Sequence, residues 1–581
     1  MKSLLAIAAA VAGLFAATVH ADERLTQADV EQVVAQAVAA ASTNDPNAII
    51  AVVDREGFIL ALWDVKGRLP SPFAIFPAGP FGPNALVNPI VKLYSLVDGA
   101  VTRAITAAYL SSDQNAFTSR TAGYIIQQHF PVGVRDASNG PLVGVGLSSL
   151  FYSDVNRPKL IPPGFDGTAI FPAPTSANPN PAPQSPGIRA PTFPPSSLND
   201  SPGGVPLYKN GHLVGGIGVT GDGSPTDLAP AGAIIFNQVQ HSFTSGFKAG
   251  HDTDEDVALA GQTGFRPPSE ILATNVLIGG IRIPYVATNA KSIDISDIKP
   301  LGSVGRSIDV PLRNLGPATF NNAIVSGFPQ ASPGPYPYEE REYGGAPGQV
   351  RFPIRDDPLI ATPGRQLIAG KAQRLTAGEV SSIISKAAAQ NNMTRAGIRL
   401  PIGTNAKNFI AVVSNPDKPG DMPAILGVFR TGEATIFSWD VAVQKARTAV
   451  FFSNSQLAMS CRAVGFLSQR WFPPGIDGQP PGPFFGFQEA VSLKRDINGH
   501  FPGDPNVPNG ITIFPGGFPL YRNGQVVGAI GVSGDGIDQD DLIACAGTAD
   551  FLPKQTIRSD HYTYHGARLP YAKFPRDPNL Q

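Results

Sequence analysis

Two segments of the chain place a cation and a hydroxyl three residues apart. Arg103 precedes Thr106 in RAITA, and Lys445 precedes Thr448 in KARTA. Residues at this spacing share one face of a helix, and the small alanines would let a planar ligand or another helix come close. These four residues are therefore candidate cofactor-binding residues. The alternative is a helix that packs on a sheet through alanine, with each threonine bonded to its own backbone.

A second candidate site combines a histidine with carboxylates. His251, Asp252 and Asp254 supply the mixed nitrogen and oxygen ligands that several metal cations accept. The same residues also fit the acidic start of a helix, where the helix dipole favours negative charge. The sequence leaves both interpretations open, and the helix start is the more common of the two.

The two cysteines, Cys461 and Cys545, fall on two different predicted helices in the second half of the chain. Their aligned counterparts in the first half are Ser119 and Leu259. Two cysteines present together in one half predict a disulfide, which is consistent with an oxidising compartment.

Several familiar catalytic patterns are missing. The chain has no G-x-S-x-G nucleophile motif and no C-x-x-C-H motif for covalent haem. Gly216, Gly218 and Gly221 have dinucleotide-type spacing, but they lie in a predicted strand rather than at the start of a helix. We expect these glycines to permit close backbone packing. The sequence predicts no catalytic residues common to both halves.

The chain contains an internal duplication. Residues 203–222 and 516–535 share fourteen of twenty positions without a gap. Residues 98–131 align with 440–473, and 258–285 with 544–571, again without gaps. Repeats of this kind indicate the same structural unit written twice. We call residues 25–285 the first unit and residues 375–571 the second unit.

Local signals agree between the units. Each begins with a capping box, Thr26 with Asp29 and Thr376 with Glu379, ahead of a helix and a buried strand. Later elements of each unit are a second, alanine-rich helix from Asp98 or Asp440, a hairpin at Asn210-Gly211 or Asn523-Gly524, and a closing helix at 254–261 or 540–547. Antiparallel hairpins with separate helices predict an α+β fold.

The predicted organisation is a signal peptide, two domains and a linker. Lys2, an apolar run at 4–17 and a small-x-small site at 19–21 are typical of a signal peptide covering 1–21. The predicted domains are 22–290 and 371–575, with a Pro/Gly-rich linker at 291–370 that wraps a domain surface and a short tail at 576–581. These boundaries predict a periplasmic or extracellular protein without a membrane span.

The composition narrows the range of partners. The net charge of -1 gives no electrostatic reason to expect nucleic acid as a partner. Charged residues make up only 15% of the chain, and a surface poor in charge favours self-association, so we expect a homo-oligomer or a secreted protein partner.

The ordered segments L-T-x-x-x-V, I-A-V-V, K/R-A-x-T-A and G-G-x-P-L…N-G-x-x-V-G-x-I-G-V-x-G-D resemble the GlcG/HbpS-like haem-binding family, which is related to the C-terminal domain of a corrinoid adenosyltransferase. The resemblance covers both units. It implies a profilin-like three-layer α/β/α fold for each unit, oligomer formation, and binding of haem or a related tetrapyrrole. It places Arg103, Thr106, Lys445 and Thr448 in the pocket. One departure is Ser414, where the first unit has Asp54.

Three functions follow as hypotheses. The first is a non-covalent haem-binding protein outside the cytoplasm, acting in haem carriage or redox sensing. The second is an interaction protein that self-assembles or binds a secreted redox partner. The third is an enzyme that degrades haem or acts on a small metabolite.

Overall fold

A computed structural model describes mainly residues 23–68, 89–125, 201–221, 250–288, 297–308, 338–361, 374–416, 423–488 and 511–573, apart from residues 402 and 475, with a few isolated positions between these ranges. The predicted signal peptide, the tail at 576–581 and most of the long insertions of the first unit lie outside the described residues.

The two units contain the same elements in the same order. Those of the first unit are α1 (Gln27–Asn44), β1 (Ile49–Asp54), β2 (Phe58–Asp64), α2 (Pro89–Leu110), α3 (Ser119–Ile125), β3 (Gly204–Lys209), β4 (His212–Thr220) and α4 (Thr253–Gly261). The segment between the units contributes β5 (Glu339–Tyr343) and β6 (Ala346–Phe352). The second unit contains α5 (Ala377–Met393), β7 (Phe409–Ser414), β8 (Ile425–Thr431), α6 (Ser438–Phe451), α7 (Cys461–Leu467), β9 (Gly517–Arg522), β10 (Gln525–Ser533) and α8 (Ile537–Gly547).

The strands form two mainly antiparallel sheets. The first has the order β2-β1-β4-β3, with the short strand Lys159–Leu160 parallel to β2 at the edge, and the second has the order β5-β6-β8-β7-β10-β9. Their central pairs share a register, since Ile49 pairs with Thr220 and Phe409 pairs with Ser533. Both sheets also carry a β-bulge at the equivalent point of the β1–β2 and β7–β8 pairs. The mixed arrangement of helices and antiparallel sheets predicted from sequence is confirmed.

Helices cover both faces of each sheet, so the central strands are apolar throughout. In β1, Ile50 and Val52 pack in the core with α1 and α4, whereas Ala51 and Val53 pack in the core with α2. This division follows from the alternation of side chains along a strand. The second sheet lies in the same way between α5 with α8 on one face and α6 on the other. The core beneath α2 and α6 is continuous between the units.

The predicted caps and turns are found. Thr26 and Thr376 both form complete capping boxes with the residue three positions on. Asn210 and Asn523 both have φ of 51°, as the predicted Asn-Gly hairpin turns require.

Glycines let α2 and α6 lie directly on the strands. A Cβ added to Gly218 would lie 2.0 Å from the Ala100 carbonyl oxygen, and one added to Gly531 would lie 2.0 Å from that of Ala442. These positions therefore accept no side chain, which confirms the expected close backbone packing.

Two predicted boundaries are wrong. Helix α2 begins at Pro89 rather than at Asp98, because proline fits the first position of a helix, where its missing N–H donor is not needed. Helix α6 begins at Ser438, so Asp440 lies within its first turn and is fully buried.

The segment at 291–370 does more than wrap a surface. Its strand β6 pairs with β8, with Gly348 opposite Thr431, and β5 extends this sheet further. The short strand Arg306–Ser307 pairs with β2 of the first sheet. The predicted linker thus supplies strands to both sheets, because the outer edges of β2 and β8 have backbone groups that need partners.

Among the described residues, no helix combines the length and the apolar character that crossing a bilayer would require.

Candidate functional site

The predicted cations on α2 and α6 lie in buried ion pairs. The Arg103 guanidinium donates to Asp254 Oδ2 at 2.9 Å and to the Val219 carbonyl. In the second unit, Lys445 Nζ donates to Asp540 Oδ2 at 2.7 Å and to the Val532 carbonyl at 2.8 Å. Burial raises the pKa of Asp540 to about 6. Each cation therefore ties its helix to the last strand and the closing helix of its own unit.

The threonines beside these cations anchor the backbone. Thr106 Oγ1 donates to the Thr102 carbonyl at 2.8 Å and accepts from the Asn199 N–H at 2.6 Å. Thr448 Oγ1 accepts from the Thr512 N–H at 3.1 Å. Both threonines are fully buried. The observed contacts of Arg103, Thr106, Lys445 and Thr448 are those of the packing alternative rather than of a ligand pocket, because their polar groups already bind the protein.

A second ion pair also occurs in both units, and it was not identified from the sequence. Arg120 donates to Glu255 through Nε and Nη2, both at 2.9 Å, and Arg462 Nε donates to Asp541 at 2.8 Å. Burial raises the pKa of Glu255 and of Asp541. The aligned segments place Arg120 opposite Arg462, and the equivalent closing helices place Glu255 opposite Asp541, so the signal was present in the sequence.

The predicted metal site is not formed. Asp252 caps α4 by accepting from the Asp254 N–H at 3.0 Å, and Asp254 is paired with Arg103. His251 Nε2 instead meets Asp256. The three side chains make separate contacts because they surround the start of a helix. Within the described ranges, no group of three histidine, cysteine or acidic residues could hold a metal ion.

The predicted disulfide is also wrong, since Cys461 and Cys545 are free thiols. Cys461 lies in the core beneath α6 and donates to the Lys445 carbonyl at 2.9 Å. Cys545 packs against the core on the other side of the second sheet. The sheet separates the two sulfur atoms. Burial raises the pKa of Cys461 well above its usual value and that of Cys545 to about 11.

Glu56 forms a buried polar contact between the units. Its carboxylate accepts from Arg351 at 2.8 Å and from Arg430 at 2.9 Å, and both arginines belong to the second sheet. The Tyr338 hydroxyl accepts from Arg351 at 2.9 Å, and the Arg351 guanidinium lies 3.7 Å from the Tyr338 ring centre. Two cations thus flank one anion, which fixes the turn between β1 and β2 against the second unit.

The loop before β7 makes another contact between the units. Arg399 Nη2 donates to the Ser111 carbonyl at 2.7 Å, and Ser112 Oγ donates to the Arg399 carbonyl at 3.0 Å. The N–H of Arg399 donates to Asp535 Oδ1 at 2.9 Å. Burial raises the pKa of Asp535 to about 7. Asp535 Oδ2 and Arg399 Nε and Nη1 lie buried without a hydrogen-bond partner.

Aromatic side chains cluster beyond the end of α6. We define the aromatic surface as Phe452, Phe484, Phe485, Phe487 and Arg470. The Phe452 ring lies 5.2 Å from Phe484 and 5.9 Å from Phe487, and the Arg470 guanidinium lies 5.5 Å from the Phe485 ring centre. Phe487 is 42% exposed. The phenylalanine pairs at 451–452 and 484–485 were the sequence signal for this cluster, which sequence reasoning missed.

Comparisons with known proteins found similarities to parts of this chain. Residues 410–549 match the model of a family described as "Haem degrading protein HbpS-like". A 34-residue stretch is 56% identical to an uncharacterized 15.0 kDa protein of Citrobacter freundii, a match covering 6% of this chain and 24% of that protein. The chain thus spans about a quarter of the length of this curated relative.

Solved structures were also found. A PduOC–haem complex is 18% identical, with 30% of this chain and 93% of that chain covered and a TM-score of 0.21. A Streptomyces reticuli HbpS double mutant is 20% identical, with 33% and 94% covered and a TM-score of 0.19. The Klebsiella pneumoniae protein ORFY is 21% identical, with 34% and 91% covered and a TM-score of 0.19. By the match to the family model, residues 410–549 of this chain are similar to HbpS-like domains.

Proposed function

We propose that this chain binds haem or a related tetrapyrrole non-covalently, through its second unit. The observation that carries the proposal is the match of residues 410–549 to the HbpS-like family model. Binding is non-covalent because the chain lacks the C-x-x-C-H motif that attaches c-type haem. We further propose that the first unit is a second domain of the same profilin-like kind, on the strength of the shared strand registers.

The chemistry of the described residues supports one location for such a ligand. Haem has a flat apolar ring and two carboxylate side chains, so its site needs apolar contact area and a cation. Arg103 and Lys445 do not fit, because each is buried and paired with a carboxylate. The aromatic surface fits, because it combines the exposed Phe487 ring and the partly buried rings beside it with the Arg470 guanidinium.

The first unit lacks an equivalent surface in its described part. Tyr109 and Leu110, which align with Phe451 and Phe452, are buried. The Tyr109 hydroxyl donates to the Glu56 carbonyl at 3.1 Å, which holds this end of α2 inside the protein. We therefore propose one tetrapyrrole per chain.

The proposed setting is the periplasm or the cell exterior, supported by the signal-peptide pattern of residues 1–21. There the protein would act in haem carriage or redox sensing. Mass spectrometry of the protein from its native host tests this step, with a mature chain that begins at Asp22 as the expected result. A full-length chain recovered from the cytoplasm would contradict it.

Titration with hemin tests the binding proposal. We expect a shifted Soret band that saturates at one hemin per chain. Saturation at two hemins per chain would assign binding to both units, whereas an unchanged free-hemin spectrum at micromolar concentration would overturn the proposal.

Degradation of the bound haem is a second candidate function, favoured by the description of the matched family. Ascorbate and oxygen added to the hemin-loaded protein test it. Loss of the Soret band that is faster than with free hemin would support degradation. A stable band would support binding without degradation.

A further inference from the structure

We infer that the aromatic surface is the tetrapyrrole site of the second unit, with Phe487 against the ring and Arg470 paired with a ligand carboxylate. This inference rests on the proposed haem binding and adds its location and the role of each residue.

The chain segment that supplies the aromatic surface carries several exposed apolar side chains. Within the described part of the chain, eight large apolar side chains are exposed, and three of them, Phe451, Ile476 and Phe487, lie between residues 451 and 487. A fourth, Tyr562, donates its hydroxyl at 3.2 Å to the carbonyl of Gln456, which follows Phe452 by four residues in the chain. An exposed ring that packs against further aromatic side chains, as Phe487 does against Phe452, is typical of a binding surface.

The rings are held in place from below. Phe452 and Phe484 pack on a small separate core that includes Met459, Val464 and Phe472. The Phe487 ring then meets Phe452 edge to face, at 87° between the ring planes. A platform supported in this way loses little side-chain entropy when a flat ligand binds, which favours a rigid aromatic ligand.

Arg470 supplies the complementary charge. Its guanidinium lies over the rings of Trp471 and Phe485, at 5.7 and 5.5 Å from the ring centres. Its Nε is buried without a hydrogen-bond partner, and no ion pair joins it to a carboxylate of the described residues. Arg462, in the same part of the chain, is by contrast paired with Asp538 and Asp541. A stacked guanidinium with donors to spare is suited to binding a carboxylate.

These features favour a small ligand over a protein partner. A stable protein interface buries about 800 Å² on each side. The aromatic surface offers a few rings and one cation, which match the apolar plane and the acid group of a single tetrapyrrole.

The test uses the full chain and two ligands, hemin and hemin dimethyl ester, whose carboxylates are blocked. We expect Phe487→Ala to weaken binding of both ligands by roughly tenfold, because it removes ring contact. We expect Arg470→Gln to weaken hemin binding by about three- to tenfold and to leave the ester unaffected. Matched controls are Leu552→Ala, an exposed apolar residue elsewhere in the second unit, and Arg341→Gln on β5, and both should bind like the wild type.

The outcomes separate the two proposals. Wild-type affinity in both test variants, while hemin still binds, would overturn the aromatic surface as the site and leave haem binding intact. An equal loss of both ligands in Arg470→Gln would overturn the carboxylate role. Failure of the wild type to bind hemin would overturn the proposed function itself. Circular dichroism and thermal melting of each variant check the fold, and sedimentation velocity detects a second copy as the occupant, which would also overturn the inference.

Discussion

Glu56 of the first unit lies 2.8 Å from Arg351 of the second-unit sheet, and both side chains are buried. Arg430 meets the other carboxylate oxygen at 2.9 Å. The turn between β1 and β2 is thereby joined to β6 and β8 through charges that have no access to water. A buried ion pair adds little net stability by itself, but removing one member leaves the other charge uncompensated.

Glu56→Gln is therefore expected to destabilise the protein by about 3–5 kcal/mol, because two buried arginines lose their counter-charge. Urea unfolding of the variant and the wild type measures the change. Glu339→Gln is the control, since Glu339 pairs with Arg341 at the surface and should change stability by less than about 1 kcal/mol. Equal stability of the Glu56 variant and the wild type would show that the contact does not hold the units together.

Asp535 predicts a pH dependence of stability. Burial raises its pKa from the ordinary 3.8 to about 7, so the folded protein keeps a proton that the unfolded chain has lost between those pH values. Since the folded state binds more protons over this range, the free energy of unfolding falls as the pH rises from 4 to 7. At about 1.4 kcal/mol per pKa unit, the loss from this group between pH 5 and pH 7 is on the order of 2 kcal/mol.

Asp535→Asn isolates this effect, because asparagine keeps an acceptor for the Arg399 N–H without titrating. We expect the free energy of unfolding of the variant, relative to that of the wild type, to increase from pH 5 to pH 8. Urea unfolding of both proteins at these two pH values measures the change. Arg399, Glu433 and Arg55 are charged groups close to this contact, and they stay the same in both proteins. The same pH slope in variant and wild type would contradict the raised pKa.

The close contact at Gly531 predicts how much stability is lost when α6 is pushed away from the second sheet. An added Cβ would lie 2.0 Å from the Ala442 carbonyl oxygen, so Gly531→Ala must push the helix away and should cost roughly 1–3 kcal/mol or more. Gly378→Ala is the matched control, since nothing lies within 4 Å of its added Cβ in the first turn of α5. The control should be neutral or stabilising by up to about 1 kcal/mol. Thermal unfolding of the two variants decides, and equal melting temperatures would refute the close contact.

The free thiols give a chemical prediction. Burial raises the pKa of Cys461 well above its usual value, so little thiolate forms, and the sulfur lies in the core. We expect a thiol reagent at pH 8 to leave Cys461 unmodified in the folded protein and to find two thiols after unfolding without reductant. The melting temperature should be the same with and without dithiothreitol. If no reactive thiol is found in the protein unfolded without reductant, the result would support the predicted disulfide instead.

The sequence alone determined the local structure and the repeat. Capping boxes and Asn-Gly turns depend on a few neighbouring residues, as do the glycines within a strand. They could therefore be identified at Thr26, Asn210 and Gly218 without any knowledge of tertiary contacts. The mixed helix and antiparallel sheet arrangement followed from their order. The second ion pair, Arg120 with Glu255, was not identified in this way, because no local rule joins residues 135 positions apart.

Only the tertiary structure decided what each polar group does. Arg103 and Lys445 had the right spacing for a pocket, but the closing helix of each unit brings a carboxylate to them, and buried charges of opposite sign pair with each other. The sheet between Cys461 and Cys545 prevents their disulfide for a similar non-local reason. The aromatic surface forms because Phe452 and Phe487, more than thirty positions apart in the chain, meet on a separate core. No periodic pattern in the sequence predicts this core.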